Sequence, residues 1–222
     1  MWIKICGIQD MSDAIAAVDA GADAIGFLVG MRHLAEDEIS QSDAEHVISG
    51  IKSTGSDVEC VMTTHMMIPD DILKAASAIR ADAIQIHDDM DPVDVRKIRE
   101  TFGGRIVKTV HVTGRDETLS KVLSYIGSCN AILLDSKTSE RIGGTGIPCN
   151  WDVASDIVKA MRKYGIPVYL AGGLNPENTR AAIEAVHPDG IDMNSGVEYD
   201  NGRKSFDKIY AVIQNVNKIE NR

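Results

Sequence analysis

The chain has 222 residues, a formal net charge of −10 and a sequence pI near 5.0. This charge argues against nucleic acid as the main partner, because phosphate backbones require clustered Lys and Arg. The four cysteines form no CxxC pair, and a chain of this size needs no disulfide framework. Without a signal-peptide pattern or an apolar run of membrane-spanning length, we expect a cytoplasmic protein with no membrane partner.

Short apolar runs alternate with amphipathic stretches along the whole chain. In chain order the predicted strands are residues 2–6, 24–29, 58–63, 83–87, 106–110, 131–134, 168–170 and 190–194. The predicted helices that follow them are residues 10–20, 42–52, 70–80, 92–101, 116–126, 152–164, 176–186 and 205–218. Gly21 is a stop signal for the first helix. Asn175 followed by Pro176 is typical of a cap with proline at the first helical position.

Eight strand-then-helix units in this length predict one closed (β/α)8 TIM barrel over residues 1–222, of the phosphate-binding type. An open doubly wound sheet is the structural alternative. It would usually place a phosphate loop after the first strand, whereas the glycine-rich segments of this chain come late. No linker or low-complexity segment divides the chain.

Barrel enzymes place their chemistry at the carboxyl ends of the strands. Reading those ends in chain order gives the candidates Lys4, Cys6, Gly7, Arg32, His33, Thr63, Thr64, His65, Gln85, His87, Lys108, His111 and Asp135. Strands seven and eight end in glycine-rich turns that contain Gly172, Gly173, Ser195 and Gly196. A third loop, which contains Gly144, follows strand six. Glycine backbone N–H groups and a serine hydroxyl can bind a phosphate, so we predict a phosphate site here.

Cys6 and Asp135 are the candidate base and acid. A thiol is an adequate base when its pKa falls toward neutrality, and Lys4, two residues earlier on the same face, could lower it. Asp135 ends an apolar strand, and a carboxylate in that position is energetically costly unless it is paired or used in catalysis. The structural alternative for Cys6 is that it packs as a small buried hydrophobic residue. The structural alternatives for Asp135 are that it caps the next loop or pairs with Lys137.

These motifs, taken together and in order, resemble the phosphoribosylanthranilate isomerase family of tryptophan biosynthesis over nearly the whole chain. The resemblance is carried by residues 4–8 (KICGI), 20–27 (AGADAIGF), 84–87 (IQIH), 133–137 (LLDSK), 143–146 (GGTG) with Trp151, 171–178 (AGGLNPEN) and 194–198 (NSGVE).

The resemblance implies an Amadori rearrangement of N-(5′-phosphoribosyl)anthranilate to the 1-deoxyribulose 5-phosphate derivative, without cofactor or metal. It implies that Asp135 is the general acid that opens the ribose ring and that Cys6 is the base at C2′. The expected phosphate ligands are Gly144, Gly172, Gly173, Ser195 and Gly196. We further assign substrate binding to Lys4, Arg32, Gln85 and His87, and expect a monomer or homodimer.

One segment departs from the family pattern. Family members carry an arginine just before an Ile-Ser pair, where it recognises the anthranilate carboxylate. Registered on Ile39 and Ser40, that position falls within residues 36–38 (EDE), which would repel a carboxylate. Arg32 could substitute from the same loop. Further departures are the third strand, Asp88 and Asp89 after His87, and Asn194 in place of a common serine.

Three alternatives remain open, and the first of them follows from these departures. A related phosphosugar isomerase could take a different headgroup. A barrel that keeps the phosphate site without turnover is the second. The third is a Zn²⁺ or Fe²⁺ site made by His33, His65 and His87 near Cys6 and Asp135, although the strand-seven carboxylate of metal-dependent barrel epimerases is missing from residues 169–171 (YLA).

Overall fold

The computed structural model describes residues 1–32, 35–136 and 150–220. Within these residues eight parallel strands follow one another around a closed barrel, and the last strand pairs with the first. The strands are β1 (Trp2–Ile5), β2 (Ala24–Leu28), β3 (Glu59–Thr64), β4 (Ala83–Ile86), β5 (Arg105–Val112), β6 (Ala131–Ser136), β7 (Val168–Leu170) and β8 (Gly190–Met193). The predicted (β/α)8 barrel is therefore confirmed.

An α-helix follows each strand and packs its apolar face against the outside of the barrel. The helices are α1 (Met11–Ala20), α2 (Gln41–Ser53), α3 (Pro69–Ala78), α4 (Pro92–Thr101), α5 (Arg115–Ser124), α6 (Trp151–Met161), α7 (Thr179–Val186) and α8 (Phe206–Glu220), and a 3₁₀ helix, Arg162–Tyr164, extends α6. Among the described helices, none is long and apolar enough to cross a membrane.

The start of α7 differs from the prediction. The helix begins at Thr179, three residues after Pro176. The side chain of Asn175 accepts hydrogen bonds from the backbone N–H groups of Glu177 and Asn178, at 3.0 Å each. These bonds stabilise a turn instead of a helical first turn, which is the competing use of an asparagine side chain beside proline.

Aromatic and charged side chains fill the amino-terminal end of the barrel. The rings of Trp2 and Tyr169 stack with their centroids 4.3 Å apart. The guanidinium of Arg105 lies 4.6 Å from the Trp2 ring centroid, donates to the Tyr169 hydroxyl at 2.6 Å and pairs with Glu59. Apolar layers of Val, Ala and Leu side chains cover this plug, so the end opposite the candidate site is occupied by protein.

A polar layer lies in the middle of the barrel, above the apolar layers. The Lys4 ammonium is fully buried and donates to Asp192 Oδ2 at 2.8 Å and to Gln85 Oε1 at 2.9 Å. Gln85 in turn donates to the Thr109 hydroxyl at 3.3 Å. Buried charges are costly unless they are paired and hydrogen-bonded. Lys4 and Asp192 form such a pair through Asp192 Oδ2, while Asp192 Oδ1 has no hydrogen-bond partner among the described residues. The layer forms the floor of the candidate site.

Candidate active site

The carboxyl ends of β1 and β3 to β6 bring reactive side chains together at one mouth of the barrel. Side chains alternate between the two faces of a strand, so the inward residues continue the register of the polar layer. Those at the mouth are Cys6, His65, His87, His111 and Asp135; His111 and Asp135 are direct partners in the β5–β6 register.

Lys108 does not join this group, although it was a strand-end candidate. Lys108 lies on the face of β5 opposite to that of His111 and therefore points outward. Its ammonium lies 5.1 Å from the Tyr125 ring centroid. Burial lowers the pKa of Lys108 to about 8. The period of two in a strand explains the difference: Thr109 and His111 point inward, and Lys108 cannot.

The Cys6 thiol is buried at the end of β1, 3.7 Å from the Thr63 hydroxyl. Gly26 on β2 provides its space, because a Cβ there would lie 2.8 Å from the sulfur and 2.7 Å from Lys4 Cε. Burial raises the pKa of the Cys6 thiol, and the nearby Lys4 ammonium lowers it by less. The expectation that Lys4 brings the thiol toward neutrality is therefore wrong for the free protein, because desolvation outweighs the single buried charge.

The Asp135 carboxyl is buried at the end of β6 and has an unusual ionisation. Burial raises its pKa to about 7, although its Oδ1 accepts a hydrogen bond from the Ser136 backbone N–H at 2.7 Å. The charges of Lys4 and Asp192 act on both Asp135 and Cys6, which places both groups around the same polar layer. A carboxyl with this pKa is half protonated near neutral pH, as a general acid requires.

Three histidine rings line the mouth beside Asp135. The ring centroids of His65 and His87 are 5.0 Å apart, and those of His87 and His111 are 5.2 Å apart. His87 Nε2 lies 3.9 Å from Asp135 Oδ2. Burial, together with the neighbouring imidazoles, holds the pKa of His87 well below its usual range, so this ring is neutral. His33, the third histidine of the metal hypothesis, lies outside the described residues.

The two predicted phosphate turns lie side by side. Gly172 and Gly173 both have positive φ, 86° and 62°, a region that favours glycine. A Cβ on Gly172 would lie 3.0 Å from Asp135 Oδ1, and Gly196 packs against the Leu174 carbonyl of the same turn. The turns are thus adjacent to each other and to the candidate acid. Ser195 is exposed beside them, while Gly144 lies outside the described residues.

A polar network covers Gly7 at the rim and contains Lys204, which the sequence did not indicate as a site residue. Asn194 donates to Asp37 Oδ2 at 2.6 Å and accepts from the Lys204 ammonium at 2.6 Å; Lys204 also pairs with Glu198. Lys204 is buried, and its position in the last loop gave no strand-end signal.

The predicted binding residues reach different depths. Lys4 and Gln85 contact each other in the polar layer, and His87 lies at the mouth. Arg32 is largely exposed, and its guanidinium lies 3.6 Å from Asp88 Oδ2. The pair joins the loops after β2 and β4, at the rim and above the polar layer.

Comparison with known proteins bears directly on this geometry. A family model described as N-(5′-phosphoribosyl)anthranilate (PRA) isomerase matches residues 3–215. The chain belongs to this family. The N-(5′-phosphoribosyl)anthranilate isomerase of Methanocella arvoryzae is 36% identical over 96% of this chain and 97% of the relative. The isomerase of Natronomonas pharaonis is 33% identical over 95% of both chains.

Solved structures of the family have the same fold. Phosphoribosyl anthranilate isomerase from Thermotoga maritima superposes with a TM-score of 0.84 at 33% identity, over 98% of this chain and 99% of that one. Another isomerase structure, in complex with reduced 1-(o-carboxyphenylamino)-1-deoxyribulose 5-phosphate, has a TM-score of 0.80 at 31% identity over the same shares. The family resemblance is therefore confirmed, and the comparisons do not favour an altered headgroup or a non-catalytic barrel.

Proposed function

We propose that the protein is a phosphoribosylanthranilate isomerase that converts N-(5′-phosphoribosyl)anthranilate to 1-(2-carboxyphenylamino)-1-deoxyribulose 5-phosphate. The observation that carries this proposal is that a buried acid, Asp135, and a buried thiol, Cys6, lie at the same mouth of the barrel. The pKa of Asp135 is about 7. The reaction moves protons within one molecule, so one acid and one base suffice and no cofactor is required.

The proton of Asp135 goes to the ribose ring oxygen. The bond from C1′ to that oxygen then breaks, and the nitrogen lone pair forms the C=N bond of a protonated Schiff base. The Cys6 thiolate removes the proton from C2′, and the electron pair of that C–H bond forms the C1′=C2′ double bond. The π electron pair of the C=N bond returns to the nitrogen, which gives a neutral enolamine. Tautomerisation of the enolamine gives the ketone.

The thiolate is the less stable form of Cys6 in the free protein, because burial opposes its charge. Lys4 supports it from below, since an ammonium favours a neighbouring anion. The positive Schiff base formed by ring opening would add a second favourable charge at the moment when the base is needed. This ordering places the acid step before the base step.

The phosphate would bind at the paired turns through the backbone N–H groups of Gly172, Gly173 and Gly196 and the Ser195 hydroxyl. Such contacts are remote from C1′ and C2′, so their binding energy can position the ribose between the acid and the base. Lys4, Gln85, His87 and Arg32 stay predictions as further substrate-binding residues, as do the cytoplasmic location, the lack of a nucleic-acid partner and the monomer or homodimer.

The test is the loss of anthranilate fluorescence on freshly made phosphoribosylanthranilate, together with rescue of a tryptophan auxotroph that lacks this step. Cys6→Ser and Asp135→Asn should each lower kcat by at least about 100-fold, the usual size of a general acid or base contribution. Both should still bind inorganic phosphate as the wild type does. A wild type that binds phosphate without turnover of this substrate would contradict the proposal.

A further inference from the structure

Three metal-ligand side chains converge at the mouth from neighbouring strands. His87 follows β4, His111 lies on β5 and Asp135 on β6, and each presents one ligand atom. These three atoms lie within 4.8 Å of one another. In a tetrahedral zinc site with bonds of about 2.0–2.2 Å, ligand atoms are about 3.3–3.6 Å apart, so small side-chain rotations would close the set around one ion.

The state of these groups suits metal binding. His87 is nine-tenths buried, and its Nδ1 has no hydrogen-bond partner among the described residues. Its Nε2 and Asp135 Oδ2 are 3.9 Å apart, which is too long for a hydrogen bond between them. The two groups therefore face each other without satisfying each other.

We propose that His87, His111 and Asp135 form a binding site for a divalent transition metal of the Zn²⁺ class. Two imidazoles and one carboxylate are a ligand set that suits this class, and three protein ligands leave a position open for water. The ring of His65 packs beside His87, with the two ring centroids 5.0 Å apart. Oxygen-preferring ions such as Mg²⁺ match the set less well, since two of its three donors are nitrogens.

The site has a consequence for the proposed isomerase, and this part rests on the proposed function. A metal-bound carboxylate is held deprotonated, because ligands bind in their deprotonated form. Asp135 would then have no proton to give to the ribose ring oxygen. Occupation of the site is therefore expected to inhibit the isomerase, and the ion acts as a regulator of the acid instead of a cofactor.

Metal binding is tested first by itself, on protein purified without a histidine tag and treated with a chelator. Titration with Zn²⁺ alone should give one ion per chain, and Co²⁺ alone should give the visible absorption bands of a four- or five-coordinate site. His111→Ala should weaken Zn²⁺ binding at least tenfold. His46→Ala, an exposed histidine on α2, is the matched control and should bind as the wild type does. His111→Asn, with thermal unfolding of each variant, guards against a folding defect.

Inhibition is tested second, in the fluorescence assay. Micromolar Zn²⁺ should inhibit the wild type and the His46 variant, and a chelator should restore their activity. For His111→Ala, the ratio of the activities with and without Zn²⁺ should stay close to one, whatever the basal rate of this variant. Zn²⁺ binding that survives His111→Ala, or that depends on Cys6 instead, would overturn the site. An inactive wild type that binds Zn²⁺ through His111 would refute the proposed function and leave the metal site standing.

Discussion

Gly172 lies directly against Asp135, so that the turn after β7 and the end of β6 have no room between them. A Cβ on Gly172 would lie 3.0 Å from Asp135 Oδ1 and 2.8 Å from the Ser136 backbone nitrogen. The contact joins the predicted phosphate turn to the candidate acid. The position of one therefore depends on the position of the other.

Gly172→Ala should separate this pair. The added methyl group must move Asp135 or the turn, and a misplacement of about 1 Å can lower the rate by about 100-fold. We expect kcat/KM to fall by about that factor in the fluorescence assay. Gly165→Ala is the matched control, since its φ is also positive, 65°, and a Cβ there meets nothing within 4 Å. Equal losses of activity in the two variants would show that backbone strain, and not the contact, is responsible.

The pH profile of kcat/KM should be a bell with an alkaline optimum. The acid must be protonated and the base ionised, but Asp135 loses its proton at about pH 7 while burial raises the pKa of Cys6 above its ordinary value. The productive pair is thus a minority form of the free protein, and its population peaks between the two pKa values. The limb near pH 7 then belongs to Asp135. A profile that falls to zero above pH 7 would contradict this assignment.

Asp135→Asn should stabilise the protein at pH 8. The folded-state pKa of about 7 lies above the unfolded value of 3.8, so the folded form binds the extra proton and stability is lost as pH rises from 3.8 to 7. The shift corresponds to at most about 4 kcal/mol at pH 8. Urea unfolding of wild type and variant should show a gap at pH 8 that closes below pH 4. A gap that is constant with pH would contradict the raised pKa.

Lys4→Met should strongly destabilise the barrel, because it leaves the buried Asp192 carboxylate without its partner. Breaking a buried pair in this way typically costs 3–5 kcal/mol. The double variant with Asp192→Leu removes both charges and should recover much of the loss of stability in urea unfolding. A double variant as unstable as Lys4→Met would contradict the pairing.

The Asp192 charge also acts on Cys6, whose pKa it raises. Asp192→Asn should therefore lower the pKa of Cys6, which the pH dependence of thiol alkylation measures.

Asp37→Asn should improve the use of the anthranilate substrate. Asp37 occupies the rim over Gly7, and its charge opposes both the Cys6 thiolate and a substrate carboxylate. We expect KM to fall several-fold at low salt. Glu36→Gln, which removes the same charge from an exposed neighbour, is the control. An identical response from both variants would mean that the general charge of the loop, and not the position of Asp37, matters.

Strand ends were predictable from the sequence because hydrophobic runs mark buried parallel strands, and the barrel rule then places Cys6, His87, His111 and Asp135 at one mouth. The pairing of Lys4 with Asp192 was not, because it joins β1 and β8 across almost the entire chain. The thiol pKa also could not be predicted. Its direction depends on how far burial outweighs one ammonium, which is a property of the folded interior.

The stacked rings of Trp2 and Tyr169, with Arg105 and Glu59 around them, close the far end of the barrel. Substrate and product must therefore enter and leave through the same mouth of the barrel. A released ketose phosphate and an arriving glycosylamine therefore exclude one another, and product should slow turnover as a purely competitive inhibitor.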